Sequence, residues 1–132
     1  MADPVISGNG IFSHVFLGAE NLEKSVAFYD AALGALGIKN LGPFAKNWVL
    51  YGRDKPAFII APPGNGEAPS SNGATIGFAA ASPAEVDAFH AAGLKAGGTD
   101  EGKPGPRDHL PGAYAAYLRD PAGNKVCSYA FV

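Results

Sequence analysis

The sequence contains a single cysteine, Cys127, among its 132 residues. One thiol excludes an intrachain disulfide framework and a cysteine-rich zinc module, and it is typical of a protein in a reducing compartment. Apolar runs such as residues 57–63 are far shorter than the ~20 residues that a transmembrane helix requires. The start of the chain, Met-Ala-Asp-Pro, lacks the basic and apolar segments of a signal peptide. These absences predict a cytoplasmic protein without a membrane partner.

An excess of charge of either sign is also missing. Ten Lys and Arg residues oppose twelve Asp and Glu residues, for a net charge of −2. Without a basic excess, nucleic acid is not expected as a partner. No glycine-rich phosphate motif stands between a strand and a helix, and no serine nucleophile elbow is present. The length of 132 residues predicts a single compact domain, or two half-size repeats that share a core, and the 47% of hydrophobic residues argues against disorder.

The first half of the chain predicts a strand, a helix and a strand hairpin. Residues 11–17 form the opening apolar strand, and Asn21 is a suitable N-cap for the helix that follows. Apolar residues then recur at helical spacing until Gly37 ends the helix, at Leu22, Val26, Tyr29, Leu33 and Leu36. Residues 45–51 and 57–61 predict two strands joined by a short loop. The Pro- and Gly-rich residues 63–73 predict a linker between two halves.

The second half repeats this plan. Residues 74–80 predict a strand, and Ser82 with Glu85 predicts a capping box at the start of a helix that ends at Gly97. By helical phase, His90 is expected to face solvent. Residues 99–112 predict a long loop, and residues 113–119 and 125–131 predict two strands around a turn.

Internal similarity supports two related modules, about 11–62 and about 74–132. Residues 25–32 align with residues 85–92 at an offset of 60, and residues 51–54 align with residues 117–120 at an offset of 66. The alternative is chance similarity in an alanine-rich sequence. The matching order of elements favours a true repeat.

The sequence resembles the vicinal oxygen chelate superfamily, which includes glyoxalases, bleomycin resistance proteins and extradiol dioxygenases. His14 and residues 21–30 resemble the start of such proteins, while residues 104–107 and 119–125 resemble their second half. The resemblance covers nearly the whole chain, so residues 1–132 are expected to form one glyoxalase-like domain. It implies an α+β fold of two tandem βαβββ modules, whose mixed sheets curl around a cleft. It also implies a homodimer and a small-molecule ligand or substrate.

In many members of this superfamily, the cleft holds a divalent metal that chelates two substrate oxygens. The resemblance places ligands on the first and last strands of each module, and His14 matches the first of these positions. The other positions fall near Thr75, at Cys127, and near Phe58 or Ile59. A catalytic metal needs three or four converging His, Glu or Gln side chains. Only His14 fills a position clearly, so we expect no metal cofactor and retain His14 as the one candidate ligand.

The candidate cleft residues lie on the predicted strands and in the loop at residues 103–112; they are His14, Trp48, Phe58, Thr75, Arg107, His109, Tyr114 and Cys127. The guanidinium of Arg107 suits a carboxylate or phosphate. Strand alternation sends Trp48 and Tyr51 to opposite faces, and likewise Tyr114 and Tyr117. Cys127 is expected to be a buried thiol, since a nucleophile would need a depressed pKa. No catalytic residue can be identified.

Two hypotheses follow for the function. The first is a metal-free protein that binds a small organic ligand in a cleft between the modules, as drug-sequestering members of the superfamily do. The second is a metal-dependent lyase or dioxygenase that uses His14 as one ligand. The number of metal ligands favours the first hypothesis.

Overall fold

The computed structural model describes residues 10–132, and the Met-Ala-Asp-Pro start of the chain lies outside them. The order of elements is strand, helix and three strands, given twice. The first module contains β1 (Val15–Gly18), α1 (Leu22–Gly34), β2 (Lys39–Phe44), β3 (Trp48–Gly52) and β4 (Phe58–Ala61). The second contains β5 (Ile76–Ala79), α2 (Pro83–Lys95), β6 (Thr99–Pro106), β7 (Ala113–Arg119) and β8 (Lys125–Phe131). The predicted α+β fold of two βαβββ modules is therefore confirmed.

Each module forms one four-stranded mixed sheet. The first sheet has the order β1-β4-β3-β2 and the second has the order β5-β8-β7-β6. In both, the first strand pairs in parallel with the last, and the remaining neighbours are antiparallel. Neither sheet closes on itself, so each keeps one face for the helices and a second face for other contacts.

The helix ends follow the predicted capping residues. The side chain of Asn21 accepts a hydrogen bond from the Lys24 backbone N–H at 3.1 Å. Ser82 Oγ accepts the Glu85 N–H at 3.2 Å, and Glu85 Oε1 accepts the Ala81 N–H at 2.9 Å. The bonds to Asn21 and Ser82 satisfy N–H groups of the first helical turn, and the Glu85 carboxylate satisfies an N–H group just before the helix.

The two helices pack against each other and against one face of each sheet, which joins the modules through a shared core. This core holds fully buried aromatic residues from both helices, including Phe28, Tyr29 and Phe89. Gly93 permits the close approach of α2, because a Cβ atom there would lie 2.4 Å from Leu118 Cδ1 and 3.1 Å from Phe28 Cε1. Neither helix in residues 10–132 is long and apolar enough to cross a membrane.

A buried hydrogen-bond network around Asp120 also joins the modules. Asp120 Oδ2 accepts from Tyr29 Oη of α1 at 2.6 Å and from Asn124 Nδ2 at 3.0 Å. Asp120 Oδ1 accepts the N–H groups of Ala122 and Asn124, both at 2.9 Å. The Asn124 amide also donates to the carbonyl of Gly18 at the end of β1, at 2.8 Å. The turn between β7 and β8 is therefore fixed to two elements of the first module.

The structure corrects the predicted loop at residues 99–112, since residues 99–106 form strand β6. Its pairing with β7 shifts register twice, between Asp100 and Gly102 and between Gly102 and Gly105. Glycine and proline usually indicate a loop, but here the glycines occur at bulges. At Gly102 a Cβ atom would approach Arg107 Nη2 and the Tyr117 side chain to 3.3 Å.

The expected exposure of His90 was also wrong. His90 is only 7% exposed, and its Nε2 lies 2.8 Å from Asp100 Oδ1 in β6. The buried face of α2 runs at helical spacing through Val86, Phe89, His90 and Gly93, so His90 lies on the packed face of the helix rather than on its exposed one.

The repeat exists, but its strand register differs from the sequence alignment by one residue. Tyr51 pairs with Phe58, while Leu118 pairs with Val126, and these two pairs occupy the same place in their sheets. Tyr51 is therefore equivalent to Leu118 rather than to Tyr117. A shift of one residue moves a side chain to the opposite face of a sheet. Identical tyrosines thus end on different faces.

Candidate ligand-binding site

The face of the first sheet that is turned away from the helices is apolar. We call it the first open face, and it carries Phe16, Trp48, Leu50 and Ile59, which alternate with the core residues of their strands. The rings of Phe16 and Trp48 meet edge to face, with centroids 5.4 Å apart. Phe16 is 40% exposed, and the adjacent Phe44 is 58% exposed. This face therefore offers aromatic surface and almost no hydrogen-bonding groups.

The corresponding face of the second sheet is built around tyrosine. This second open face carries Gly77, Tyr117, Cys127, Tyr129 and Phe131. The hydroxyl groups of Tyr117 and Tyr129 hydrogen-bond each other directly. Burial raises the pKa of Tyr117 well above its usual value, and the hydrogen bond with Tyr129 raises it further. At neutral pH the Tyr117 hydroxyl is therefore protonated and acts through hydrogen bonds.

A pocket of about 380 Å³ opens beside Tyr117, lined by Thr75, Glu101, Gly102, Arg107, Tyr117 and Lys125. The Lys125 ammonium lies 5.2 Å from the centroid of the Tyr117 ring, and the Arg107 guanidinium carbon lies 5.4 Å from it. Both distances are within the range of a cation–π contact. The volume suits a small organic molecule.

Arg107 is positioned by backbone carbonyls of strand β6, which it follows directly. Its Nη1 donates to the carbonyls of Gly105 at 3.1 Å and Pro106 at 3.3 Å, and its Nη2 donates to that of Lys103 at 3.0 Å. The guanidinium thus holds the end of β6 in its bulged form. All three of these hydrogen bonds are accepted by backbone carbonyls, and the positive charge of Arg107 lies beside the pocket.

The residues at the four expected metal positions do not fit a catalytic divalent metal. By sheet register, His14 is equivalent to Thr75 and Ile59 is equivalent to Cys127. This set offers one imidazole, one hydroxyl, one thiol and one alkyl group. Within residues 10–132, no three His, Cys, Asp or Glu side chains are grouped so that they could hold a metal ion. A catalytic site of this kind requires at least three strong donors.

The thiol of Cys127 adds little to this donor set. Cys127 is 4% exposed, and burial raises the pKa of its thiol to about 12. The thiolate is the form that binds metals and attacks electrophiles. At neutral pH the thiol is therefore a small buried group beside Gly77, whose added Cβ would touch Sγ at 3.4 Å.

The other predicted cleft residues are distributed over several environments. Trp48 lies on the first open face, and Thr75 lines the pocket. His14 is exposed just before β1, where its Nδ1 lies 3.0 Å from Ser13 Oγ, and His109 is exposed in the turn before β7. Among the predicted cleft residues, the pocket beside Tyr117 brings together Thr75 and Arg107.

Two of the predicted cleft residues face the helices instead. Phe58 is 4% exposed and belongs to the core, where its ring meets that of Phe78 edge to face. Tyr114 donates a hydrogen bond from Oη to Asp87 of α2 at 2.6 Å. Alternation correctly separated Tyr114 from Tyr117, but it did not show which of the two faced the helix.

Tyr117, Tyr129, Lys125 and Glu101 were not among the predicted cleft residues. Alternation along residues 125–131 would have placed Lys125, Cys127 and Tyr129 on one face. That signal was available once Cys127 was assigned to the cleft. Glu101 lies in the segment that was predicted to be a loop, so no pattern indicated its position.

The comparisons with known proteins agree with this architecture. A family model for the glyoxalase/bleomycin resistance protein/dioxygenase superfamily matches residues 11–127. The chain belongs to this superfamily, as the sequence resemblance predicted. None of the curated proteins compared with the chain matches it.

Solved structures show the same fold. A glyoxalase/bleomycin resistance protein from Albidiferax ferrireducens T118 is 49% identical, with a TM-score of 0.82 over 91% of this chain and 98% of that protein. Lactoylglutathione lyase from Agrobacterium tumefaciens is 22% identical, with a TM-score of 0.60 over 88% and 90%. The fosfomycin resistance protein FosX from Mesorhizobium loti is 14% identical, with a TM-score of 0.65 over 92% of both chains. The last two similarities concern the fold alone.

Proposed function

We propose that this protein binds a small organic ligand on its open faces without a metal ion. The observation that carries the proposal is the pocket of about 380 Å³ beside Tyr117, which joins an aromatic ring to cationic and hydroxyl side chains. Ligand pockets commonly combine an apolar or aromatic surface with a few polar groups that fix orientation. The four residues at the expected metal positions supply too few donors for the usual metal chemistry of the superfamily.

We further propose that two chains form a homodimer in which a partner covers the first open face. Phe16 and Phe44 leave this face apolar and exposed in the single chain, and such patches often mark interfaces. A partner's polar second open face would complete a cleft with one apolar wall and one cationic wall. Light scattering should then give the mass of two chains, and a monomeric mass would contradict this arrangement. The single buried thiol of Cys127 suits a cytoplasmic location.

Metal analysis tests the central proposal. Protein purified and dialysed without chelator should contain no stoichiometric zinc, nickel, iron or manganese. Added divalent ions should leave the melting temperature of the wild type and of His14→Ala equally unchanged, because His14 lacks partner ligands in the described residues.

The competing function predicts the opposite result in the same experiment. One equivalent of metal per chain, or a melting temperature that ions raise in the wild type but not in His14→Ala, would establish a site that depends on His14. A metal-dependent lyase or dioxygenase would then become the favoured function. This second function rests on membership of the superfamily, whose name includes dioxygenases.

A further inference from the structure

We propose that Lys125 recognises an oxyanion, so that the ligand is a small organic carboxylate, phosphonate or phosphate. This inference rests on the proposed ligand-binding function and names the chemistry of its ligand. The pocket beside Tyr117 contains two cations, Arg107 and Lys125, and one carboxylate, Glu101. The contacts of these three groups determine which charge is free.

The negative charge in the pocket already has a partner. Glu101 Oε1 lies 3.3 Å from Arg119 Nε, and this ion pair joins β6 to β7. Arg119 also donates from Nη1 to the carbonyl of Gly123 at 2.9 Å. Because Arg119 balances Glu101, the charges of Arg107 and Lys125 leave the pocket with a positive excess.

The two remaining cations differ in their hydrogen bonds. Both nitrogen ends of the Arg107 guanidinium donate to backbone carbonyls, at Lys103, Gly105 and Pro106. Among residues 10–132, the ammonium of Lys125 has no hydrogen bond or ion pair, and its one specific contact is the Tyr117 ring. An ammonium has three donors to satisfy. A guanidinium has five donors, of which Arg107 uses three, so Lys125 is the cation that keeps all of its donors for charge-assisted hydrogen bonds to a ligand.

The fold holds the backbone of Lys125 in place. The preceding residue, Asn124, is 4% exposed and hydrogen-bonded to both Asp120 and Gly18. Lys125 itself begins β8 and pairs with Arg119 of β7. The Tyr117 ring and the hydrogen-bonded hydroxyl groups of Tyr117 and Tyr129 complete a surface on which an organic group can lie against an aromatic ring.

Benzoate, phenylphosphonate and neutral benzamide test this inference as probes of similar size. Binding is measured through NMR chemical shifts of Thr75, Tyr117 and Lys125 in the full chain. We expect both anions to shift these signals and to bind about tenfold more tightly than benzamide, because a charged hydrogen bond is lost with the amide. Tighter binding of benzoate would indicate a carboxylate ligand, and tighter binding of phenylphosphonate would indicate a phosphonate or phosphate ligand. Added salt should weaken the anions only.

Lys125→Met removes the ammonium and keeps most of the side chain, so it should weaken anion binding about tenfold and leave benzamide unaffected. Lys24→Met, on the exposed side of α1, is the matched control and should bind as the wild type does. Salt dependence in the wild type gives an independent result if Lys125→Met folds poorly.

Three results would overturn the inference: equal affinity for benzoate and benzamide, unchanged anion binding in Lys125→Met, or no response to any of the probes. In the first two cases the open face would still bind small molecules, and the proposed function would stand. Metal analysis and the mass of the assembly judge that function separately.

Discussion

The two modules share one backbone plan and differ in what their open faces carry. The first open face is aromatic, with Phe16 packed edge to face on Trp48, whereas the second carries a tyrosine hydroxyl pair beside Lys125. One face therefore favours apolar contacts and the other favours hydrogen bonds and charge. The two modules therefore share the sheet that supports an open face, but the side chains on that face differ in chemistry.

The modules also differ in the turn before their last strand. In the first module, exposed Arg53 donates to the carbonyls of Leu36 at 2.7 Å and Ala79 at 3.3 Å. In the second module, buried Asp120 gathers four donors, including Tyr29 of the other module. Both turns contact the neighbouring module, but only the second does so inside the core.

The largest effect is expected from breaking this second turn. Asp120→Ala leaves several buried donors without an acceptor, so we expect a loss of roughly 3–5 kcal/mol in the free energy of unfolding. Urea denaturation measures it. The matched control is Asp54→Ala in the first turn, which should change stability by less than about 0.5 kcal/mol, since Asp54 is exposed.

If Asp120→Ala does not fold, Tyr29→Phe removes one donor to Asp120 and should cost about 1–2 kcal/mol. Equal stabilities for the Asp120 and Asp54 variants would show that the two turns contribute alike. The proposed difference between the modules would then be wrong.

The next effect concerns the helix glycines. Gly93→Ala places a Cβ atom 2.4 Å from Leu118 Cδ1, and such overpacking should cost roughly 1–3 kcal/mol. Gly34→Ala in α1 meets no atom within 4 Å and should instead stabilise the protein by about 0.5–1 kcal/mol. Thermal unfolding of the two variants compares them directly. Stabilisation by Gly93→Ala would contradict the close approach of α2.

The smallest effect concerns the side-chain hydrogen bond that joins the helix of each module to the strand that follows it, β2 or β6. In the first module Asn40 Nδ2 donates to Asp30 Oδ1 at 3.0 Å, and in the second His90 Nε2 lies 2.8 Å from Asp100 Oδ1. The bond to His90, followed by the bond from the Gly102 N–H, lowers the pKa of Asp100. In the second module the strand residue of this hydrogen bond, Asp100, is a carboxylic acid that titrates, whereas in the first module the strand residue, Asn40, is an amide that does not.

The sign of this pH effect follows from the lowered pKa. Folding favours ionised Asp100, so its contribution is complete above the unfolded pKa of about 4 and is lost as the pH falls through the folded value. The difference in melting temperature between the wild type and Asp100→Asn should therefore shrink in acid. Exposed Asp54→Asn serves as the control. A difference that stays constant down to low pH would exclude this role.

The sequence predicted those parts of the fold that depend on local signals. The caps at Asn21 and Ser82 and the apolar stripe of α1 specify helices through neighbouring residues alone. Strand β6 was missed because its glycines occur at bulges, where Gly102 meets Arg107 just after the strand and Tyr117 in the neighbouring strand β7. No local pattern distinguishes such a bulged strand from a loop.

The faces on which individual side chains lie were predicted less well, for a related reason. Alternation along a strand separates two faces, but it does not say which face meets the helix. Tyr114 was therefore placed on the cleft side although it faces α2. Phe58 was placed there because the superfamily's metal position falls near residue 58 or 59, and the sheet register gives that position to Ile59. Lys125 was not predicted because its role depends on the contacts of the two nearby arginines. Arg119 pairs with Glu101, and Arg107 donates hydrogen bonds to backbone carbonyls.

The one-residue difference in register has a consequence for how such repeats diverge. The stretch from Leu118 to its partner Val126 is one residue longer than that from Tyr51 to Phe58. The gain or loss of one residue in a turn can therefore place an aromatic side chain in the core of one module and the matching side chain on the open face of the other. New binding chemistry can arise in this way without any substitution in the strand itself.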